Sequence, residues 1–233
     1  MVAQLDHPAK ANIIYPETDG KPMANNTKQF DLILVIEQNL SWLFADNPDV
    51  FVAGDLFWYP IEGNNRIVTA PDVMVIFGRP KGDRRSYKQW EENNIPPQVV
   101  FEILSPANTS QEMAQKLLFY ERYGVEEYYI YDPDTNILEG WLRGNYGLDS
   151  IENINNWISP RLGIKFDLSG SELVIYRPDG EEFLSYNQIS QQLNNAQLQL
   201  NNAQQELENQ RQKAEKLAAL LRANGIDPDQ IES

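Results

Sequence analysis

The 233-residue sequence predicts an α/β fold with a mixed central sheet flanked by helices, followed by a long C-terminal helix. Apolar runs of strand length alternate with helical segments, and the run at 98–104 is nearly unbroken, as in a strand buried on both faces. After residue 185 the composition changes to Gln, Asn and Ala with a regular apolar spacing. We therefore predict a domain over 1–185, a helix over 186–223 and a short tail over 224–233.

The elements of the domain are predicted in the order helix, three strands, helix and strand. Asn25-Asn26-Thr27 offers N-cap residues before the first helix, and Thr109 with Glu112 has capping-box spacing before the second. The predicted helices are 30–44 and 109–123, and the predicted strands are 50–59, 72–77, 98–104, 127–131 and 137–143, with the last two forming a hairpin. Residues 144–185 are expected to be irregular with short strands.

A heptad pattern occupies residues 189–221. Its positions alternate by four and three residues, which is typical of a coiled coil. The seam is formed by Ile189, Leu193, Ala196, Leu200, Ala203, Leu207, Gln210, Ala214, Leu217 and Leu221. We expect self-association through this coiled coil as a homodimer; the alternative is a helix that lies along the domain.

Composition limits the chemistry that the chain can perform. The sequence has no cysteine, which excludes disulfides, thiolate zinc sites and cysteine nucleophiles, and its single histidine, His7, argues against a Ser-His-Asp arrangement. A site must therefore be built from carboxylates, Lys, Arg and hydroxyls. The net charge of −15 argues against a general nucleic-acid-binding protein. No apolar run approaches the ~20 residues of a membrane span, and we expect a cytoplasmic protein.

Two carboxylates lie on predicted strands. Pro71-Asp72 begins one strand, and Glu102 lies inside the apolar run 98–104. A carboxylate inside a buried strand costs several kcal/mol unless it is paired, protonated or bound to a metal. Mg²⁺ takes one or two carboxylates and leaves its other positions to water and phosphate oxygens. Asp72 and Glu102 on adjacent strands would provide such a site.

Lys116 is the predicted cationic partner of these acids. It lies on the second helix with Met113 and Tyr120 on the same side, so it is expected to point toward the sheet. There it could orient or deprotonate an attacking water, or stabilise charge on a phosphorane.

Each of the three residues also has a structural interpretation without catalysis. Asp72 after proline would suit a turn that leads into a strand, and Glu102 could pair with a structural Arg or Lys. Lys116 could form an ordinary surface pair with Glu112, worth roughly 0.3–0.5 kcal/mol. The order of the three on strand, strand and helix favours a joint function.

The chain resembles the Uma-two family of bacterial restriction endonuclease-like proteins over roughly residues 15–185. The specific strings are P-D at 71–72, F-E-I-L-S-P at 101–106, and Y-G-V-E-E-Y-Y-I-Y-D-P at 123–133. The resemblance implies a restriction-endonuclease-like fold of the P-D…(D/E)-x-K superfamily, with Asp72 and Glu102 as metal-binding acids. The lysine position of E-x-K holds Leu104, and the resemblance implies that Lys116 on the following helix takes this role.

A basic segment follows the first of these acids. Residues 78–97 form a long connection, and long loops are uncommon unless they are functional or disordered. We predict that its bases grip a phosphate backbone beside the metal and that Tyr87 and Trp90 stack on a base; the alternative is a solvated surface loop. The predicted DNA-binding residues are Arg79, Lys81, Arg84, Arg85 and Lys88.

Two hypotheses for function follow. The first is an endonuclease dependent on Mg²⁺ or Mn²⁺ that hydrolyses phosphodiester bonds in DNA, with Asp72, Glu102 and Lys116 as catalytic residues and the two acids as metal ligands. The second is a catalytically weak or inactive nuclease fold that acts as a binding or assembly module through its coiled coil. Leu104 and the acidic composition favour the second.

Overall fold

The computed structural model describes residues 13–20 and 22–225. The chain separates into two compact units between Phe183 and Leu184, two residues before the boundary that the sequence predicts. The first unit contains all the strands, and the second contains the long C-terminal helix.

Within residues 13–20 and 22–183, the first unit contains two α-helices and ten strands. The helices of the chain are α1 (Thr27–Leu43), α2 (Ser110–Tyr123) and, in the second unit, α3 (Tyr186–Ala223). The strands are β1 (Val50–Gly54), β2 (Trp58–Tyr59), β3 (Val73–Phe77), β4 (Tyr87–Lys88), β5 (Val99–Ile103), β6 (Glu127–Asp132), β7 (Ile137–Arg143), β8 (Leu148–Ser150), β9 (Lys165–Asp167) and β10 (Val174–Tyr176).

A six-stranded mixed sheet forms the centre of this unit, in the order β1-β3-β5-β6-β7-β8. Strands β5 and β6 are parallel and are connected through α2, whereas the other neighbouring pairs are antiparallel. Parallel neighbours need a crossover, and a helix is the usual one. The predicted α/β class, the central position of β5 and the β6–β7 hairpin are confirmed.

The sheet buries a different hydrophobic cluster on each face. Alternate residues of β5 point to opposite faces: Val99 and Phe101 pack with α1, whereas Val100 packs with α2. The same alternation in β3 separates Val75 from Met74. We call the two sides the α1 face and the α2 face.

Local signals set the ends of the two helices in this unit. The Asn26 side chain accepts a hydrogen bond from the Gln29 N–H at the start of α1, and the Thr109 side chain accepts one from the Glu112 N–H at the start of α2. Gly124 ends α2 with a left-handed φ of 97°, which glycine adopts without steric cost.

Two predicted segments differ from the observed ones, and a third agrees. The single strand predicted over 50–59 is two strands, because Asp55 takes a left-handed φ of 47° and turns the chain between β1 and β2. The segment 78–97 is not a structureless loop, since it contains β4 and a 3-10 helix at Gln89–Glu91. The region 144–185 contains three short strands, β8 to β10, in agreement with the prediction.

The second unit consists mainly of α3. Ser185 and Gln188 form a complete capping box at its start, and the helix includes all of the predicted span 189–221. No residue of α3 is buried, so its apolar residues are exposed in the single chain. Within 13–20 and 22–225, the structure contains no helix that is long and apolar enough to cross a membrane.

Candidate active site

The register of β3 and β5 places Asp72 and Glu102 side by side. Val73 pairs with Phe101 in the antiparallel ladder, so Asp72, one residue earlier, lies opposite Glu102. Both side chains belong to the α2 face, since they alternate with Val73 and Phe101 of the α1 face. Directly opposed residues have Cβ atoms ~5 Å apart, which is close enough for two carboxylates to share one cation.

Glu102 is buried, and two side chains of α2 hold it. Lys116 Nζ donates to Glu102 Oε2 at 2.7 Å, and the Tyr120 hydroxyl donates a short hydrogen bond to Glu102 Oε1. Lys116 and Tyr120 are four residues apart, which places them on successive turns of one helix face. Lys116 therefore pairs with Glu102 and not with Glu112, the alternative partner considered from the sequence.

Asp72 lies at the open side of this cluster. Its Oδ2 accepts a hydrogen bond from the Ile103 N–H at 2.6 Å, and no other hydrogen bond to the Asp72 side chain is present within residues 13–20 and 22–225. Burial and the neighbouring Glu102 carboxylate raise the pKa of Asp72 to about 8, although Lys116 and the Ile103 N–H act in the opposite direction. The charged form of Asp72 is therefore stabilised by only one hydrogen bond and by the nearby Lys116 ammonium.

The two residues of α2 differ in their charge. Burial by itself lowers the pKa of Lys116, but the Glu102 and Asp72 carboxylates more than offset it and leave the pKa above its ordinary value. Burial, followed by the Glu102 carboxylate, raises the pKa of Tyr120 well above its ordinary range. Lys116 is thus a cation and Tyr120 a neutral hydrogen-bond donor at physiological pH.

A cleft of about 450 Å³ gives access to this cluster, and Asp72, Lys116 and Asp55 line it. Neither Asp55 nor the hydrogen-bonding role of Tyr120 was predicted from the sequence. Burial, with Asp19 and Glu102 as the neighbouring acids, raises the pKa of Asp55 despite Lys116. The sequence feature that could have indicated Tyr120 is its spacing of four residues from Lys116. For Asp55, that feature is its position directly after Gly54.

The predicted DNA-binding residues divide into two groups. Arg79 and Arg84 each donate to Glu92 at 2.7 Å, and Lys81 donates to the carbonyls of Phe44 and Ala45 that follow α1. Arg79 and Lys81 follow β3, whereas Asp72 precedes it, so roughly 17–20 Å of strand separates them from the acids. These three bases are paired within the fold, and a role for them in DNA binding stays a prediction.

Arg85 and Lys88 form the second group. The Arg85 side chain is 84% exposed and pairs with Glu17 at 3.4 Å. Lys88 pairs with Glu91 at 3.5 Å, and its ammonium lies 5.8 Å from the centre of the Tyr15 ring. Pro16, next to Glu17, lines the cleft, so these two cations lie toward its rim. Their role in DNA binding stays a prediction.

A second buried carboxylate lies on the other face of the sheet. Glu127 of β6 is fully buried and accepts hydrogen bonds from the Tyr129 hydroxyl at 2.9 Å, the Arg161 N–H at 2.6 Å and the Ser159 hydroxyl. Burial raises its pKa although these three donors act against the change. This group holds β6 to the segment around Ser159.

The sequence was compared with families of known proteins. The family model Uma2, described as "Putative restriction endonuclease", matches residues 17–176. The chain belongs to the Uma2 family. The matched residues include Asp72, Glu102 and Lys116, so the whole candidate site lies inside the Uma2 region, whereas α3 lies outside it.

Among solved structures, the Uma2 chain is similar to a crystal structure from Anabaena variabilis, described as a "putative nuclease" belonging to DUF820. The two share 16% sequence identity with a TM-score of 0.44, and the match covers 62% of this chain and 79% of that one. A comparison with curated proteins gave no significant match.

The donor set of this Uma2 chain fits one hydrated divalent cation. Asp72 has an oxygen without a hydrogen bond, and each Glu102 oxygen keeps lone pairs beyond the single donor that it accepts. Mg²⁺ needs no more than two carboxylates from the protein. In the described part of the chain, no three His, Cys, Asp or Glu side chains form a cation-binding group.

Proposed function

We propose that this protein is an endonuclease dependent on Mg²⁺ or Mn²⁺ that hydrolyses phosphodiester bonds in DNA. The observation that supports it most strongly is the placement of Asp72 and Glu102 on one face of adjacent strands, with Lys116 bonded to Glu102 at the edge of a cleft. Membership of the Uma2 family is consistent with this activity.

Asp72 and Glu102 would hold the cation. A bound divalent ion lowers the pKa of its water and neutralises charge on the scissile phosphate. Asp72 must release its proton before it can serve as a ligand, and a pKa of about 8 places this release within the working pH range. Hydrolysis forms a bond from the water oxygen to phosphorus and breaks one phosphorus–oxygen ester bond.

Lys116 would act as a cation and not as a general base. Its carboxylate neighbours raise its pKa, so the ammonium keeps its proton near neutral pH. Its remaining N–H groups can donate to the charge that develops on the phosphate oxygens. This narrows the roles considered from the sequence, which included deprotonation of water.

Tyr120 would be a positioning residue. Its neutral hydroxyl holds Glu102 Oε1 while Lys116 holds Oε2, so the plane of the carboxylate is fixed from both sides. A fixed ligand reduces the reorganisation that cation binding would otherwise require.

The acidic surface makes local cations important for DNA binding. Arg85 and Lys88 lie toward the rim of the cleft, and their ion pairs are solvent-exposed and therefore weak. Phosphate oxygens could replace the carboxylates of Glu17 and Glu91 as their partners. We therefore assign the backbone contact to Arg85 and Lys88 in place of the five residues first considered.

We also propose that α3 forms a homodimeric coiled coil and that the protein works in the cytoplasm. A dimer would provide two metal sites for the two strands of a duplex. Removing residues 186–233 and measuring the solution mass tests the assembly; an unchanged dimer would show that the first unit holds it.

Nuclease activity is tested with supercoiled plasmid and single-stranded DNA, each with Mg²⁺, Mn²⁺ or EDTA. We expect metal-dependent cutting that Glu102→Gln reduces on the order of 10²–10³-fold, while the exposed control Glu152→Gln retains it. If neither the wild type nor the control cuts under any condition, the protein is a binding module. Leu104 at the E-x-K position favours that second function.

A further inference from the structure

We propose that two copies of α3 pair in parallel and in register, with Gln210 of each copy facing the other. The inference rests on the proposed dimer and adds its direction and register. It comes from the seam residues and from the charges that flank the seam.

The apolar seam of α3 is exposed in the single chain. Leu193 and Leu207 are each 68% exposed, and Leu200 is 51% exposed. The seam runs from residue 189 to residue 221 within this helix, so this apolar strip extends for roughly 50 Å. A second copy has the same strip and the same length, and it can cover every seam residue.

Gln210 distinguishes the two directions of pairing. A parallel pair in register places Gln210 against the partner's Gln210, where one amide can donate to the other's carbonyl. An antiparallel pair that overlaps over the whole of 189–221 places Gln210 against the partner's Leu200. That arrangement buries an amide without a partner, which costs about 1–3 kcal/mol. A single polar layer of this kind is known to fix coiled-coil register.

Flanking charges favour the same direction. Glu206 and Arg211 border the seam on opposite sides, and a parallel pair brings Glu206 next to the partner's Arg211, twice by symmetry. The fully overlapped antiparallel pair instead brings Glu206 next to the partner's Glu206. The nearest flanking positions toward the N-terminus, Gln199 and Gln204, are neutral and oppose neither direction.

Arg211 is available for this contact. Its Nε pairs with Glu215 of the same helix at 3.0 Å, but the Arg211 side chain is 70% exposed and that of Glu215 63%. A surface pair of this kind is worth only about 0.3–0.5 kcal/mol, so Arg211 can also reach a carboxylate of the partner helix.

Direction has a consequence for the domains. In a parallel coil both N-terminal helix ends lie together, and only Leu184 and Ser185 separate each helix from its domain. Both nuclease domains are then tethered at one end of the coil. An antiparallel coil would attach them at opposite ends, roughly 50 Å apart.

Disulfide trapping tests the direction in the full-length protein. The sequence contains no cysteine, so Ala196→Cys and Ala214→Cys each introduce a single thiol into the seam. Two thiols join only when their Cα atoms come within about 7 Å. Glutathione disulfide is the oxidant. Parallel pairing predicts that each variant forms a disulfide-linked dimer with itself. It also predicts that a mixture of the two variants forms no disulfide between Ala196→Cys and Ala214→Cys, even after the subunits exchange.

The outcomes separate the inference from the function. A product formed only between the two different variants means antiparallel pairing and overturns the inference. A dimeric mass without any self-linked product overturns the register. A monomeric mass overturns the proposed dimer and the inference with it, whereas the plasmid assay reports on catalysis independently.

Charge reversal gives a second test. Glu206→Arg places two like-charged contacts in a parallel pair, and we expect the dimer dissociation constant to rise about tenfold. Adding Arg211→Glu restores opposite charges across the pair and should recover the original constant. If Glu206→Arg leaves the dissociation constant unchanged, the helices are antiparallel, because a contact between the two introduced arginines then replaces a Glu206–Glu206 contact of equal repulsion.

Discussion

Glu102 and Glu127 lie in adjacent strands of the same sheet, and both are buried, yet they point to opposite faces and have different partners. Glu127 is held by two hydroxyls and a backbone N–H on the α1 face. Glu102 is held by an ammonium and a hydroxyl on the α2 face, next to a second carboxylate and a cleft.

The difference shows when a buried carboxylate indicates function. The donors around Glu127 satisfy it within the fold, and it serves as a structural link. Around Glu102, a second carboxyl group, Asp72, shares the single ammonium of Lys116, and burial, followed by the Glu102 carboxylate, raises the pKa of Asp72 to about 8. The unbalanced charge and the cleft together make the Glu102 group a candidate for binding a cation.

The largest expected effect on stability comes from Glu127. Glu127→Ala leaves three buried donors without an acceptor, and we expect the free energy of unfolding to fall by about 3 kcal/mol. Urea unfolding followed by circular dichroism measures it. Glu102→Gln is the matched comparison and should lower it by less than about 1 kcal/mol, because removing its charge relieves the repulsion with Asp72. A larger loss for Glu102→Gln than for Glu127→Ala would contradict the distinction between the two groups.

The next effect is the pH dependence of cation binding at Asp72. The raised pKa means that the folded chain holds a proton that the unfolded chain releases, so stability without metal falls as pH rises from about 4 to about 8. Cation binding releases that proton, and the dissociation constant for Mn²⁺ should fall up to about tenfold per pH unit between pH 6 and 8.

Calorimetry with Mn²⁺ at three pH values measures this dependence. Asp72→Asn should abolish most of the binding and increase the stability of the metal-free protein above pH 4, by up to about 4 kcal/mol at pH 7. The exposed control Asp31→Asn should keep the pH dependence of the wild type. If the dissociation constant for Mn²⁺ depends on pH in Asp72→Asn as it does in the wild type, a group other than Asp72 releases the proton.

The smallest effects concern the cations of 78–97. Arg84 is largely buried, bonds to Glu92 and lies 4.0 Å from the centre of the Phe51 ring, so Arg84→Ala should cost about 1–2 kcal/mol of stability. Arg85→Ala with Lys88→Ala should leave stability nearly unchanged but reduce the salt dependence of DNA binding by about one to two released ions. Binding to a labelled DNA duplex, measured over a range of salt concentrations, separates Arg84→Ala from the double variant. If only Arg84→Ala changes the salt dependence, Arg84 contacts the DNA backbone and Arg85 and Lys88 do not.

The sequence was sufficient to predict much of the sheet and its acids. The apolar run around Glu102 identified the central strand, and the apolar neighbours of Lys116 on its helix correctly predicted that it points to the sheet. Periodicity also predicted α3, because a heptad repeat is a local property of the chain. Pairing between two copies of α3 stays a prediction.

Long-range partners were harder to predict. The basic character of 78–88 was judged from nearby residues, whereas Glu92, which binds both Arg79 and Arg84, lies outside that interval. Tyr120 was treated as an apolar neighbour because nothing in the local pattern shows that its hydroxyl reaches Glu102. Asp55 interrupts a predicted strand through its backbone conformation, which an apolar pattern does not encode.

Lys116 reaches Glu102 from a helix, whereas the E-x-K pattern would place a lysine on the strand at Leu104. Leu104 instead lines an apolar cavity beside α2 together with Met113 and Ile130. An ammonium can therefore reach the same carboxylate from a helix or from a strand, provided that it arrives at the same point in space. Homologues that differ at both positions should be aligned by the carboxylate that the ammonium reaches, because the spacing along the chain no longer identifies the equivalent residue.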